Sequence, residues 1–293
     1  MRPIKTLLLC LSFVFLFAAC TQSQKTNSQQ ADSTVAEADS SELAEPTDSL
    51  SIDFLALQDG GQLTNTQTIK VANDPVFHSA KSYKAIPLIE ILEKYTKIKT
   101  LDIKQTQIVF ECEDGYNPSM DLEKVLSRKA FLAVADADAP KGTDWTTIKK
   151  GSQEKVIAPF YVVYTNVSPE ERDFKWPYNL VKISLVESAK EFAAVYPKHD
   201  DTMVKGYGLF QHNCMTCHAL NKVGGKMGPE LNYPKNVTEY WRSDADIKAF
   251  IKNPASFRNE CKMPAIDHLT DKEIDEVIRY LGYMAKNKIS SEQ

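Results

Sequence analysis

Five consecutive residues, Cys214-Met215-Thr216-Cys217-His218, have the types and the spacing for one particular chemistry. Two thiols separated by two residues can each add to one vinyl group of the same porphyrin, and the next residue then presents its imidazole to the iron. C-x-x-C-H is accordingly the attachment signature of c-type haem. A redox dithiol or half of a zinc site are the rival readings of such a cysteine pair. A thioredoxin-like dithiol would follow a strand in a βαβ pattern, and zinc would need a second Cys or His pair. Neither accompanies this motif. Cys214, Cys217 and His218 are therefore expected to hold one covalent haem c, with His218 as proximal ligand.

The flanking sequence supplies helices where a small haem-wrapping fold needs them. Val204, Leu209 and Phe210 lie on a short helix before the motif, and Gly206 offers a place where another helix can approach closely. Thr270 and Glu273 form a capping box. Ile274, Val277, Ile278 and Leu281 then follow at i, i+3, i+4 and i+7, one apolar face of a helix running to about Lys286. A middle helix starts at Ser243, with Asp246 three positions on, and is expected to bury Ile247, Phe250 and Ile251 before Pro254.

Taken in order, KGYGLFQHNCMTCH, GPEL, IKNP and KMPAIDHLTDKEIDEVIRYL resemble a class I monohaem cytochrome c domain over nearly all of residues 203–284. The resemblance implies that Met263 is the second axial ligand and that Pro229 accepts a hydrogen bond from the proximal imidazole, the orienting role expected beside any ligating histidine. His268 and an open sixth position remain as alternatives to Met263. His212, two residues before Cys214, lies on the proximal side, and Met203, Met227 and Met284 are expected to be core filler or surface. Trp241 and Tyr240 are read as packing residues. Iron with both axial positions filled has no vacancy for a reactant, and thioether ligation favours the reduced state. That combination points to electron transfer.

The preceding stretch, residues 52–190, reads as α+β or mostly β. Apolar residues in Ile86–Ile98 recur at helical spacing, with Pro87 near the first turn. Gln107–Cys112 alternates, with Ile108, Phe110 and Cys112 on one face, and Asp114-Gly115 supplies a tight turn. Further strands are expected within Phe131–Ala135, Ala158–Thr165 and Leu180–Val186. The segments IPLIEIL, ECEDGYNPSMDLEKVL, APFYVVYTN and WPYNLVKISLVE resemble the molybdopterin-binding domain of the sulfite-oxidase-type family over roughly residues 80–187. That family ligates molybdenum through a cysteine upstream of the segment matching IPLIEIL. No cysteine lies between Cys20 and Cys112 here. The fold is therefore expected without molybdopterin, and Cys112 is expected to be a core thiol. Cys112 and Cys261 are left to pair across the domains or to remain separate.

The start of the chain addresses it to an export route. Arg2 and Lys5 precede an apolar run from Leu7 to Ala19, too short for the ~20 residues of a spanning helix and typical of a signal peptide. Phe17-Ala18-Ala19-Cys20 resembles a bacterial lipobox, which implies lipidation of Cys20 after removal of residues 1–19. Durable attachment by more than one acyl chain would follow. Residues 20–51 read as a disordered tether without aromatic residues. Within it Lys25 faces Asp32, Glu37, Asp39, Glu42, Glu45 and Asp48, so the acidic excess behind the net charge of −4 sits in the tether. The remainder is nearly neutral, without the basic stripe of a nucleic-acid binder.

The expected organisation is multidomain: signal peptide 1–19, tether 20–51, sulfite-oxidase-like domain 52–190, linker 191–200 and an all-α cytochrome c domain 201–290. The expected activity is single-electron transfer between extracytoplasmic redox proteins, on the periplasmic side of a bacterial membrane. The alternative is a molybdenum-dependent oxidoreductase with a fused cytochrome acceptor.

Overall fold

The computed structural model describes residues 49–150 and 153–289. The export signal, Cys20 and the tether as far as residue 48 lie outside the described residues. Among the described residues no helix is long and apolar enough to cross a membrane.

The first part of the described chain is β-rich. It runs through β1 (Ser51–Asp53), α1 (Phe54–Asp59), β2 (Gln67–Asp74), β3 (Ser79–Pro87), α2 (Leu88–Tyr95), β4 (Thr106–Cys112), β5 (Ser119–Asp121), α3 (Leu122–Leu126), β6 (Ala130–Asp136), β7 (Thr147–Lys150), β8 (Gln153–Val156), β9 (Phe160–Tyr164) and β10 (Tyr178–Glu187). Antiparallel pairing assembles one curled sheet in the order β2-β3-β6-β9-β10-β4-β5, with β1 also on β10 and β7–β8 as a separate hairpin. Every residue of β9 is buried because cores cover both faces of the sheet there. Phe160, Val162 and Tyr164 join Leu88, Leu92, Ile108, Phe110 and Cys112 on one side. Tyr161 and Val163 join Ile69, Val71, Tyr83 and Trp145 on the other, as the two-residue period of a strand requires.

The strands expected from alternation are present, and Ile108, Phe110 and Cys112 share the buried face of β4. The helix expected from Ile86 is shorter. Ile86 and Pro87 complete β3, extended backbone at Thr96 ends α2, and Ile98–Thr100 forms a separate 3-10 turn. Strands β2 and β3 add to the expected set, and on β3 a buried charge masks the pattern. Lys81 occupies an inward position on β3 and pairs with Asp136 on β6 at 2.7 Å, both side chains being almost wholly enclosed. An apolar residue there would have revealed the alternation.

The second part is helical: α4 (Ser188–Glu191), α5 (Val204–Asn213), the short strands β11 (Ala219–Leu220) and β12 (Val223–Gly224), α6 (Val237–Tyr240), α7 (Asp244–Lys252), α8 (Pro254–Phe257) and α9 (Asp271–Ala285). Phe192 and Val195, within the stretch expected to link two domains, are buried in the helical core with Tyr207, Phe210 and Leu281. The connection is thus itself packed. Helices α5 and α9 cross at Gly206, where a Cβ would lie 2.3 Å from the Glu276 carbonyl oxygen and 2.7 Å from the Tyr280 Cβ. The capping box of Thr270 and Glu273 opens α9, and its apolar face is buried as expected. On α7 only Ile247 is fully enclosed, while Phe250 and Ile251 stay partly exposed.

Candidate functional site

Helix α5 runs directly into the two-cysteine motif. The Cys214 and Met215 amides both donate to the Phe210 carbonyl, and the Cys217 and His218 amides donate to Cys214 at 3.1 and 2.9 Å. This tight turn brings both cysteines and the imidazole to one place. Met215 and Thr216 point inward and are buried, leaving Cys214, Cys217 and His218 partly open.

The imidazole is held from behind. His218 Nδ1 donates to the Pro229 carbonyl at 2.8 Å, and since a carbonyl only accepts, the proton is fixed on Nδ1 and the Nε2 lone pair is left available. Gly228 makes this approach possible, because a Cβ there would sit 2.4 Å from His218 Cε1. Burial lowers the His218 pKa, opposed by the Pro229 hydrogen bond and by Glu230. A neutral imidazole, the ligating form, is thereby favoured. Burial and the neighbouring Cys217 push the Cys214 thiol up to about 12.

The strap carrying Pro229 has its own supports. Asn221 and Lys222 both have positive φ (51° and 67°) and join β11 to β12 in a two-residue turn, the geometry of the primed hairpin turns. The Glu230 carboxylate accepts from the amides of Asn221, Lys222 and Asn232 at 3.1, 3.0 and 2.8 Å. A buried asparagine ladder then ties the strap to α9. Asn232 Nδ2 donates to Asn221 Oδ1 (2.7 Å) and to the Met284 carbonyl (3.0 Å), and Asn236 Nδ2 donates to Asn232 Oδ1 (2.7 Å) and to the Leu281 carbonyl (3.0 Å). No local sequence pattern announces this network.

Met263 lies half-buried in the irregular stretch between α8 and α9, which is tied to α7 by the Ile266 amide donating to Ile251. His268, its rival, is exposed and its Nε2 is engaged with Asn213 Oδ1 at 2.9 Å. His212 is engaged by the β-rich region, its Nε2 lying 3.3 Å from Asp173. Met284 is core and Met227 surface. Ile247, Leu269, Ile274 and Ile278 form an apolar wall with Leu209, Trp241, Ile251 and Ile266 around its edge. Trp241 packs on Phe250 and Phe257, with ring centres 5.0 and 5.9 Å apart, and Tyr240 is exposed. Two thiols and an oriented imidazole, with an apolar cluster in the same helical region, fit a covalently attached porphyrin.

The β-rich region also reaches the motif, which the sequence did not disclose. The Asn117 amide donates at 2.9 Å to the carbonyl of Thr216, between the two cysteines, and the Lys226 and Met227 amides donate to Gly115 at 2.8 and 3.2 Å. Gly115 has φ +82°, and a Cβ on it would come within 2.9 Å of Lys226 and Met227 backbone atoms. Tyr116 is held above the usual tyrosine range by burial first, and then by Cys217 and Cys112. The Asp114-Gly115 turn was legible, but a turn's local sequence says nothing about what it touches. Cys112 is buried, Cys261 is partly exposed, and the two are not bonded to each other.

Residues 201–281 match the family model described as cytochrome C oxidase, cbb3-type, subunit III. No curated protein is similar enough to this chain to match it. The matched residues span α5, the two-cysteine motif, the strap and most of α9.

Proposed function

With residues 201–281 a cytochrome c domain, which implies haem c, we propose that the protein is a membrane-tethered carrier of single electrons between extracytoplasmic redox proteins. Cys214 and Cys217 would hold one haem, His218 and Met263 would ligate its iron, and Pro229 would orient His218. When bound, the haem iron supplies one-electron exchange between its ferric and ferrous states. The observation that carries this reading is the His218–Pro229 hydrogen bond over Gly228, which fixes the proton on Nδ1 and leaves the Nε2 lone pair available as a ligand. Residues 1–19 are a signal peptide, Cys20 bears the lipid, and the tether that follows as far as residue 48 gives reach to the folded part.

For the β-rich region we favour a sulfite-oxidase-type fold that holds no molybdenum. The one thiol in that region, Cys112, is buried beside Ile108 and Phe110, and burial raises its pKa and so disfavours the thiolate that a metal requires.

The deciding experiment is the midpoint potential of Met263→His. Imidazole favours ferric iron more than a thioether does, so the potential should fall by on the order of 100 mV, within the ~0.8 V span that axial ligands command. An unchanged potential would mean that another residue holds the sixth position. Iron and molybdenum analysis of the same purified protein should return iron alone.

A further inference from the structure

Lys175 links the β-rich region to the end of the helix that delivers the cysteines. Its Nζ donates to the His212 carbonyl at 3.1 Å, in the last turn of α5. The final carbonyls of a helix lack intrahelical partners and carry its partial negative charge. Here the Leu209 carbonyl accepts from the Asn213 side chain and the Phe210 carbonyl from Cys214 and Met215. The His212 carbonyl is served from the other region, by a cation.

The lysine is itself held in place. Its backbone amide donates to Met120 Sδ on β5 at 3.3 Å. Two residues earlier, Asp173 bridges Lys124 at 2.9 Å and His212 Nε2 at 3.3 Å. Lys175 is partly buried, and the carbonyl it binds lies two residues before Cys214. Burial lowers its pKa, with Asp173 pulling the other way. Charges partly removed from water are screened less than exposed ones, so a cation in this position acts on its neighbours more strongly than a surface lysine does.

We propose that Lys175 is a positioning residue of the electron-transfer site, supplied by the β-rich region: it fixes the end of α5 and sets a positive charge where that helix enters the two-cysteine motif, favouring the reduced haem. The inference rests on the haem reading above.

The test is a potentiometric titration of the full-length, haem-loaded protein and three variants. Lys175→Met should shift the oxidised-to-reduced ratio toward the oxidised form by about tenfold, which is 59 mV for one electron. Lys175→Arg should stay close to the parent. Asp173→Asn removes a neighbouring negative charge and should shift the ratio the other way by a smaller factor, since Asp173 is the more exposed. Opposite signs for the lysine and aspartate variants support a charge effect. A fall in both potentials would show that only packing had been disturbed, and no shift in either would show that the lysine has no influence. Both results overturn the proposal. If Lys175→Met does not accumulate, the sign of Asp173→Asn decides. Absorbance before titration separates these outcomes from a protein carrying no haem, which would overturn the electron-transfer reading and this inference with it.

Discussion

A single missing side chain governs how the imidazole is presented. Because a Cβ at residue 228 would overlap the His218 ring, Gly228→Ala must turn the ring or push the strap outward, breaking the bond from Nδ1 to Pro229. Losing the partner that orients a metal-bound histidine commonly costs about 10- to 100-fold in the ligand's hold on the metal. We predict that Gly228→Ala moves the low-spin to high-spin equilibrium of the ferric protein toward high spin by about tenfold, read from its absorption spectrum. A parental spectrum would show that the ring keeps its orientation without Pro229. The buried pair of Lys81 and Asp136 shows the same dependence of one residue on another in the β-rich region. Each charge is enclosed, so either one alone would be an uncompensated ion.

Among the elements, α9 is the one on which the helical region is assembled. It crosses α5 at Gly206, contributes Val277, Tyr280, Leu281 and Met284 to the core, and offers the carbonyls of Leu281 and Met284 to the asparagine ladder. Asn232 is the middle rung. Asn232→Ala would leave Asn221 Oδ1 and the Met284 carbonyl without this donor and would deprive Asn236 of an acceptor, all of them buried. Leaving a buried polar group unsatisfied costs about 1–3 kcal/mol, so we predict a loss of about 3 kcal/mol in denaturant unfolding of the helical region. A loss below about 1 kcal/mol would mean that water replaces the amide without penalty.

At the scale of the whole molecule, the β-rich and helical regions form one compact unit, joined at the motif itself. Gly115 makes the closest approach, with positive φ and no room for a Cβ. Gly115→Val would carry a strain of about 1–3 kcal/mol for its backbone alone. We predict that amide exchange at Lys226 and Met227, which donate to Gly115, accelerates on the order of tenfold or more while β9 stays protected. Unchanged exchange at those two amides would show that the junction does not depend on this turn.

How much of this was legible in the chain depends on whether the signal is local. The two-cysteine motif, the Thr270–Glu273 box, the apolar face of α9 and the alternation of β4 are each spelled within a few residues, because helix and strand periods and vinyl-to-thiol spacing operate over that distance. The Pro229 contact with His218 came only through family resemblance, and the geometry then supplied its physical reason in Gly228. Strand β3 was hidden because a buried lysine stands where an apolar residue would mark the pattern, its partner Asp136 being 55 residues away. The asparagine ladder, the packing of Phe192 and Val195, and the reach of Asn117, Gly115 and Lys175 to the motif all join residues remote in sequence. A polar residue's type tells that it needs a partner, but only the folded chain decides which partner it meets. Thus the chain alone determined the covalent chemistry and the helices that carry it, and tertiary structure decided what holds the imidazole and which surface of the β-rich region stands against the cysteines.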